Sequence, residues 1–160
     1  MGSTIEVSMG EAVVSQNDQT TFVTFVGSCI ALCMYDRSVK IGGMAHIMLP
    51  EGHDKTNMHR GKYANEAVEN LLEVMTVRGA KHDRIKAKMI GGAKIFSTAE
   101  RNGLFSIGMR NITAVRNTLQ QKGIVLVAEE TGMNHGRHVK FDIETGNILI
   151  SGKKNAEMKL

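Results

Sequence analysis

Residues 24–50 restrict the fold and the chemistry of this chain more than any other stretch. They read TFVGSCIALCMYDRSVKIGGMAHIMLP, two apolar runs separated by a polar Asp36-Arg37-Ser38 segment. Cys29 follows a Gly27-Ser28 bend at the start of the first run, and His46 lies on the second run. We expect one short hairpin-like unit that brings the thiol and the imidazole together, which is the arrangement of a cysteine hydrolase.

The composition predicts one compact domain over residues 1–160, with 42% hydrophobic residues and a single proline. We expect a cytoplasmic protein without membrane insertion, because the N-terminus lacks the pattern of a signal peptide and no run reaches ~18 apolar residues. The net charge of +4 supports only a mild attraction to acidic partners. Aromatic residues make up 4% of the chain, so the stacking platforms of single-stranded nucleic-acid binders are missing and we expect no nucleic-acid partner.

The hydrophobic pattern predicts short strands in hairpin-like clusters and two separate helices. Strands are expected within 5–14 as strand, turn, strand, and at 20–26, 40–49, 85–90, 124–128, 140–143 and 147–150. Residues 30–35 are apolar throughout and fit either a buried strand or the first turns of a helix. Helices are expected from Ala64 to a stop at Gly79, with Glu66, Glu69 and Glu73 outward, and at 111–122. This order indicates an α+β fold, a largely antiparallel or mixed β-sheet sandwich flanked by helices.

The reactivity of Cys29 depends on its neighbours, since a free thiol has a pKa near ~8.5 and needs a base or a positive charge to react at neutral pH. His46 is the natural base. For a Cys and a His without further context, a small buried core residue and a hydrogen-bonded core histidine are the commoner outcome. Cys29, Cys33 and His46 supply three zinc ligands without a fourth, so we expect no metal. A redox sensor built on Cys29 and Cys33 is a further alternative.

Two other segments contain glycine or histidine in patterns that invite a function. Residues 50–62 form a predicted loop of about a dozen residues, in which His53 and His59 are candidates to line a substrate groove beside His46. Solvated loop side chains are the alternative for both histidines. Gly91-Gly92-Ala93-Lys94 lacks the spacing of a phosphate-binding loop, so we expect tight backbone packing there.

A family resemblance runs through nearly the whole chain. It is carried, in order, by GSC (27–29), GMAHIMLP (43–50), KYA (62–64), GGAKIF (91–96), IGMRN (107–111), GR (136–137), FD (141–142) and TG (145–146). These motifs resemble those of the CheD family, the chemoreceptor glutamine deamidases of bacterial and archaeal chemotaxis. The GSC motif alone is weak, but its combination with AHIMLP at this distance is specific.

The resemblance implies hydrolysis of the side-chain amide of particular glutamines in methyl-accepting chemotaxis receptors, which gives glutamate and ammonia without a cofactor. By position, Cys29 corresponds to the nucleophile and His46 to the general base. Backbone N–H groups at the Gly27-Ser28-Cys29 bend are candidates for the oxyanion hole. Receptor cytoplasmic regions are helical coiled coils, so we expect an open groove, bordered by the segments 50–62 and 91–104.

The residue that orients the histidine departs from the family pattern. The resemblance implies a threonine at the position where this chain has Val23, and Thr24 stands one place later. In a regular strand Thr24 would face the opposite side, so either a bulge brings it into place or another group, such as a backbone carbonyl, orients His46. An ordinary strand threonine is the alternative.

The resemblance also implies a protein partner. CheD-like proteins resemble binding partners of the CheC phosphatase, which removes phosphate from the response regulator CheY. We therefore expect a monomer or a heterodimer with a CheC-type phosphatase. A mainly noncatalytic adaptor that binds this phosphatase and the receptors is the alternative function.

Overall fold

Two five-stranded sheets and a layer of two helices make up the fold. The computed structural model describes residues 2–94, 106–152 and 157–160. The elements in chain order are β1 (Ser3–Glu6), β2 (Ala12–Ser15), β3 (Thr20–Val26), β4 (Ile30–Asp36), β5 (Ile41–Ile47), α1 (Ala64–Val77), a 3₁₀ turn (His82–Arg84), β6 (Lys86–Gly91), α2 (Ile107–Gln121), β7 (Val125–Thr131), β8 (Arg137–Asp142), β9 (Ile148–Ser151) and β10 (Glu157–Lys159).

The two sheets are both mixed. The first sheet has the order β1-β3-β8-β9-β10, and the second sheet has the order β2-β5-β4-β6-β7. Strands β1 and β3 are parallel, as are β6 and β7, and the other neighbours are antiparallel. The protein is therefore an α+β sandwich flanked by helices, as the sequence predicts.

The central strand β4 separates two apolar layers. Ile30, Leu32 and Met34 belong to the core shared with the helices, whereas Ala31 and Cys33 belong to the core between the sheets. A strand buried on both faces must be apolar throughout, which explains why its pattern did not distinguish a strand from a helix. The structure resolves that ambiguity in favour of a strand.

The helices cover the outer face of the second sheet. In α1 the predicted apolar face is confirmed, with Ala64, Val68, Leu71 and Met75 all 0% exposed. The prediction that Glu66 faces outward is wrong. Its carboxylate accepts the Asp54 N–H at 2.6 Å and closes the loop before the helix, so the side chain is buried. Helix α2 begins four residues before its predicted start.

Local patterns located most of the other elements. The strands within residues 5–14 are present, but β1 belongs to the first sheet and β2 to the second. The closing hairpin β8–β9 is confirmed. The strand β10 and the 3₁₀ turn have three residues each, too short for a periodic pattern, and the sequence did not predict them. In the described part of the chain, no helix has the length and apolar character needed to cross a membrane.

Candidate active site

Cys29 and His46 lie at the same end of the second sheet, on the side turned toward the first sheet. In the β4–β5 hairpin Ala31 is paired with His46 and Cys33 with Met44. Cys29 directly precedes β4 and packs against the core between the sheets. It is therefore a diagonal neighbour of His46, and such neighbours lie about 7–8 Å apart on one face of an antiparallel pair.

Thr24 contacts the imidazole of His46 from the opposite sheet. Thr24 Oγ1 lies 2.8 Å from His46 Nδ1. Strand β3 pairs with β8 in continuous register, and Phe22, Thr24 and Val26 form its buried face. The expectation that Thr24 needs a bulge to approach His46 is wrong, because Thr24 rather than Val23 points between the sheets.

The carbonyl of Val7 decides which nitrogen of His46 carries the proton. Thr24 Oγ1 donates to Val7 O at 2.7 Å, and a hydroxyl has only one proton to donate. Thr24 Oγ1 therefore accepts from His46 Nδ1–H, which also lies 3.3 Å from Val7 O. Neutral His46 then has its lone pair on Nε2, the nitrogen that remains to take a proton from a thiol.

Burial favours the neutral forms of both groups. Burial lowers the pKa of His46 below the ordinary value of 6.5, although the Val7 carbonyl and the charge of Glu11 oppose this effect. Burial raises the pKa of the Cys29 thiol, which is partly exposed. A neutral thiol and a neutral imidazole are therefore favoured over a thiolate–imidazolium pair, a state that suits general-base activation of the thiol.

The bend that carries Cys29 is held by the glycine segment at the end of β6. Gly92 N–H donates to Cys29 O and Ala93 N–H donates to Gly27 O, each at 2.9 Å. Gly91 has a φ of +119°, and a Cβ there would lie 2.2 Å from Cys29 O, so glycine is required at this contact. The prediction of tight backbone packing in this segment is confirmed.

The N–H groups of Ser28 and Cys29 are the candidates for the oxyanion hole. In a trans peptide the C=O and the following N–H are antiparallel, so Gly27 O, bound to Ala93, turns the Ser28 N–H away from Ala93. Within residues 2–94, 106–152 and 157–160, neither Ser28 N–H nor Cys29 N–H has an acceptor. Two available N–H groups beside a nucleophile are what an oxyanion hole requires.

The loop at 50–62 reaches the neighbourhood of His46 through the turn at Gly10. Gly10 N–H donates to His46 O at 2.9 Å, and the His59 side chain packs on Gly10. His53 is mostly exposed, and its Nδ1 lies 2.7 Å from Glu66 Oε2. A groove lined by His53 and His59 stays a prediction. Of the other predicted border, residues 95–104 lie outside the described part of the chain.

Cys33 does not join Cys29 at the site. It is 2% exposed in the core between the sheets, where burial raises the pKa of its thiol. Four residues of extended strand span about 13 Å, whereas a disulfide needs Cα atoms within about 7 Å. The geometry therefore contradicts an internal Cys29–Cys33 disulfide switch, and it separates two of the three zinc ligands considered above. Nowhere in the described residues do three His, Cys, Asp or Glu side chains gather as a metal site.

Two groups at the site were missed in the sequence. One is the main-chain carbonyl of Val7. Every residue has such a carbonyl, so the residue type at position 7 does not predict its role as an acceptor. Asn111 donates from Nδ2 to Ser28 O at 3.1 Å. Asn111 did carry a usable signal, because it precedes Val115 by four residues and so places an amide on the apolar face of the helix.

Comparisons with known proteins agree on one family. The family model described as "CheD chemotactic sensory transduction" matches residues 48–152. The protein named chemoreceptor glutamine deamidase CheD of Thermotoga maritima is 42% identical over 156 residues, 96% of each chain. The protein of the same name from Halalkalibacterium halodurans is 36% identical over the full length of both chains.

An archaeal relative extends the similarity. The protein named probable chemoreceptor glutamine deamidase CheD of Methanococcus vannielii is 39% identical over 97% of each chain. A similarity of this extent, together with the family-model match, shows common membership. The chain belongs to the CheD family of chemotactic sensory transduction.

Proposed function

We propose that this protein is a protein-glutamine deamidase that converts particular glutamines of methyl-accepting chemotaxis receptors to glutamate. Relatives that span almost the whole chain are named chemoreceptor glutamine deamidases. The observation that carries the proposal for this chain is the Val7–Thr24–His46 hydrogen-bond series, which engages His46 Nδ1 and leaves Nε2 as the unprotonated nitrogen. Cys29 is partly exposed, as a nucleophile that meets a protein substrate must be.

Acylation is the first half of the proposed reaction. His46 Nε2 takes the proton of the Cys29 thiol as the sulfur attacks the carboxamide carbon of the glutamine. The carbonyl oxygen becomes an oxyanion, which the N–H groups of Ser28 and Cys29 stabilise by hydrogen bonds. His46 then gives the proton to the amide nitrogen, the C–N bond breaks, and ammonia leaves a thioester on Cys29.

Deacylation reverses these roles with water. His46 Nε2 takes a proton from a water molecule as its oxygen attacks the thioester carbon. The same N–H groups stabilise the second oxyanion. The C–S bond then breaks, the thiol regains a proton from His46, and the glutamine has become glutamate.

Mass spectrometry of a receptor cytoplasmic fragment from the same organism tests the proposal. Each deamidated glutamine gains about one dalton, and release of ammonia should match the number of modified sites. The fragment incubated without the protein is the control for spontaneous deamidation. A folded fragment whose glutamines stay unmodified would contradict the proposed activity.

Thr24→Val should lower the kcat for deamidation by about 10- to 100-fold. Valine keeps the shape but removes the acceptor for His46 Nδ1–H, and a loss of tautomer control lowers catalysis. The loss is expected to be partial, because Val7 O lies 3.3 Å from the same nitrogen and can accept a hydrogen bond from Nδ1–H.

Thr21→Val is the matched control for this change. Thr21 lies on the same strand and, by the alternation of side chains, on the face opposite to Thr24. We expect its kcat to remain near that of the wild-type protein. Equal rates for Thr24→Val and the wild-type protein would show that Thr24 does not orient His46.

The rate should fall at acid pH with a midpoint below 6.5. His46 accepts a proton only when it is neutral, and burial lowers its pKa below 6.5, so kcat/KM stays high as the pH falls to that value and declines beneath it. A pH profile of kcat/KM between pH 4.5 and 9 measures the midpoint. A midpoint clearly above 6.5 would instead indicate a stabilised imidazolium beside a thiolate.

A CheC-type phosphatase as partner is a further part of the proposal. A phosphatase segment that mimics a receptor helix would compete with substrate at the same groove, so binding should inhibit deamidation. The contact between Thr24 and His46 supports the catalytic proposal over the noncatalytic adaptor, because it supplies an orienting partner for His46 although Val23 departs from the family pattern. Size-exclusion chromatography with and without such a phosphatase distinguishes the expected monomer from the heterodimer.

A further inference from the structure

Asn111 is a buried amide that connects the two chain segments carrying Cys29 and His46. It lies in the second turn of α2 and is 0% exposed. Its Nδ2 donates to Ser28 O, next to Cys29, and to Met48 O, two residues after His46, each at 3.1 Å. Both partners are carbonyl oxygens and can only accept, so the NH₂ end of the amide must face them.

An amide at this position costs stability. Asparagine forms helices less readily than leucine, which has a similar size. In the described part of the chain, Asn111 Oδ1 is buried without a donor, and a buried acceptor without a partner is unfavourable. The NH₂ group uses both of its protons on the two carbonyls, and this is the contribution that an apolar side chain could not make.

The bond from Asn111 sets the direction of the Cys29 N–H. All peptide bonds among the described residues are trans, and in a trans peptide the C=O and the next N–H point in opposite directions. Because Asn111 holds Ser28 O on the side of α2, the Cys29 N–H points away from α2. Ala93 N–H holds Gly27 O in the same way and directs the Ser28 N–H.

We propose that Asn111 is a positioning residue that keeps the Ser28–Cys29 peptide in the orientation in which the Cys29 N–H meets the oxyanion of the tetrahedral intermediates. Asn111 acts through this peptide and does not itself contact the substrate. The proposal rests on the proposed deamidase function. It predicts a defect in the chemical step rather than in the reactivity of the thiol.

Contacts other than those of Asn111 hold Cys29 and His46 in place. A defect in the chemical step can therefore be measured apart from a defect in thiol reactivity. Strands β4 and β5 are paired along their whole length, His46 N–H donates to Glu11 O, and Gly92 N–H holds Cys29 O, both at 2.9 Å. Loss of the Asn111 amide therefore frees the bend peptide while the thiol and the imidazole keep their places. A reaction of Cys29 that forms no oxyanion should be spared.

Two variants of the full chain test the proposal. Asn111→Asp keeps the shape but replaces the NH₂ donor with an oxygen that repels both carbonyls. Asn111→Ala removes the donor and the unpartnered Oδ1 together, so it remains informative if the aspartate variant folds poorly. Asn117→Asp is the matched control, because Asn117 is exposed on the same helix and the change adds the same charge.

Three quantities are measured for each variant: kcat and KM for deamidation of the receptor fragment, the rate of Cys29 alkylation by iodoacetamide, and the thermal unfolding midpoint. Alkylation is a displacement at a saturated carbon and needs no oxyanion hole. We expect kcat to fall about 10- to 100-fold in both Asn111 variants with KM little changed, because oxyanion stabilisation acts in the transition state. The alkylation rate should stay within about twofold of the wild-type rate, and Asn117→Asp should match the wild-type protein in all three.

The outcomes separate the two levels of the proposal. An unchanged kcat in folded Asn111→Ala, with an active wild-type protein, overturns the role of Asn111 alone. So does a loss of alkylation rate as large as the loss of kcat, which would mean that Asn111 supports the whole site rather than the oxyanion peptide. An inactive wild-type protein overturns the proposed function and the role of Asn111 together.

Discussion

Cys29→Ala should abolish deamidation of receptor glutamines, with a fall in kcat of at least ~10⁴-fold. Removal of a nucleophile costs about this much or more in enzymes that form acyl intermediates, because the remaining hydrogen-bond donors cannot replace the covalent step. The variant should fold normally, since Cys29 is only partly buried at the start of β4. Quantitative mass spectrometry of the receptor fragment measures the residual rate.

Cys33→Ala provides the matched control for the loss of a thiol. Cys33 lies in the same segment, 2% exposed between the sheets, and burial raises the pKa of its thiol, so it should not act as a nucleophile at neutral pH. We expect near wild-type kcat in this variant. Residual activity of more than a few percent in Cys29→Ala would place the nucleophile at another residue.

His46→Gln should lower kcat at neutral pH by about 10²- to 10⁴-fold, the range that a general base contributes. Glutamine retains a polar side chain of comparable length but cannot take the thiol proton. Because burial raises the pKa of Cys29, little thiolate forms near pH 7 without the base. The rate of the variant should therefore increase steadily with pH, as hydroxide replaces His46 in forming the thiolate.

The pH profile separates this prediction from a simple loss of fold. The wild-type protein should reach a plateau above the pKa of His46, whereas His46→Gln should show no plateau through pH 9. His138→Gln is the control, because His138 is exposed on β8, where its ring packs at a tilt against Phe25. A variant at His46 that kept the wild-type plateau would rule out His46 as the base.

Much of the fold follows from local patterns in the sequence. The apolar face of α1 is recognised by its helical period, and β3 by its content of β-branched and aromatic residues. Glu66 shows the limit of this approach. Its place on the helix predicted an exposed charge, but its carboxylate accepts a hydrogen bond from the main-chain N–H of Asp54 in the preceding loop. Helical periodicity contains no information about such a contact with another segment.

The face that β3 turns inward shows a second limit. Within residues 21–26, Phe22, Thr24 and Val26 alternate with Thr21, Val23 and Phe25, so the two faces there carry the same residue types, one phenylalanine, one valine and one threonine each. The hydrophobic effect gives no preference between two such faces. The pairing of β3 with β8 and its packing on the second sheet determine which face is buried. Phe25 is therefore 54% exposed, and Thr24 contacts His46.

The sequence by itself determined the residue types of the candidate site and their neighbourhood, because Cys29 directly precedes one strand of a hairpin and His46 lies on the other strand, where local alternation brings them to the same face. Only the tertiary structure decided how His46 is hydrogen-bonded and how the bend before β4 is held. Those decisions depend on Val7 O, the glycine segment after β6 and Asn111, which are distant in sequence. Main-chain carbonyls and N–H groups are the same in every residue, so their partners are set by how the layers pack.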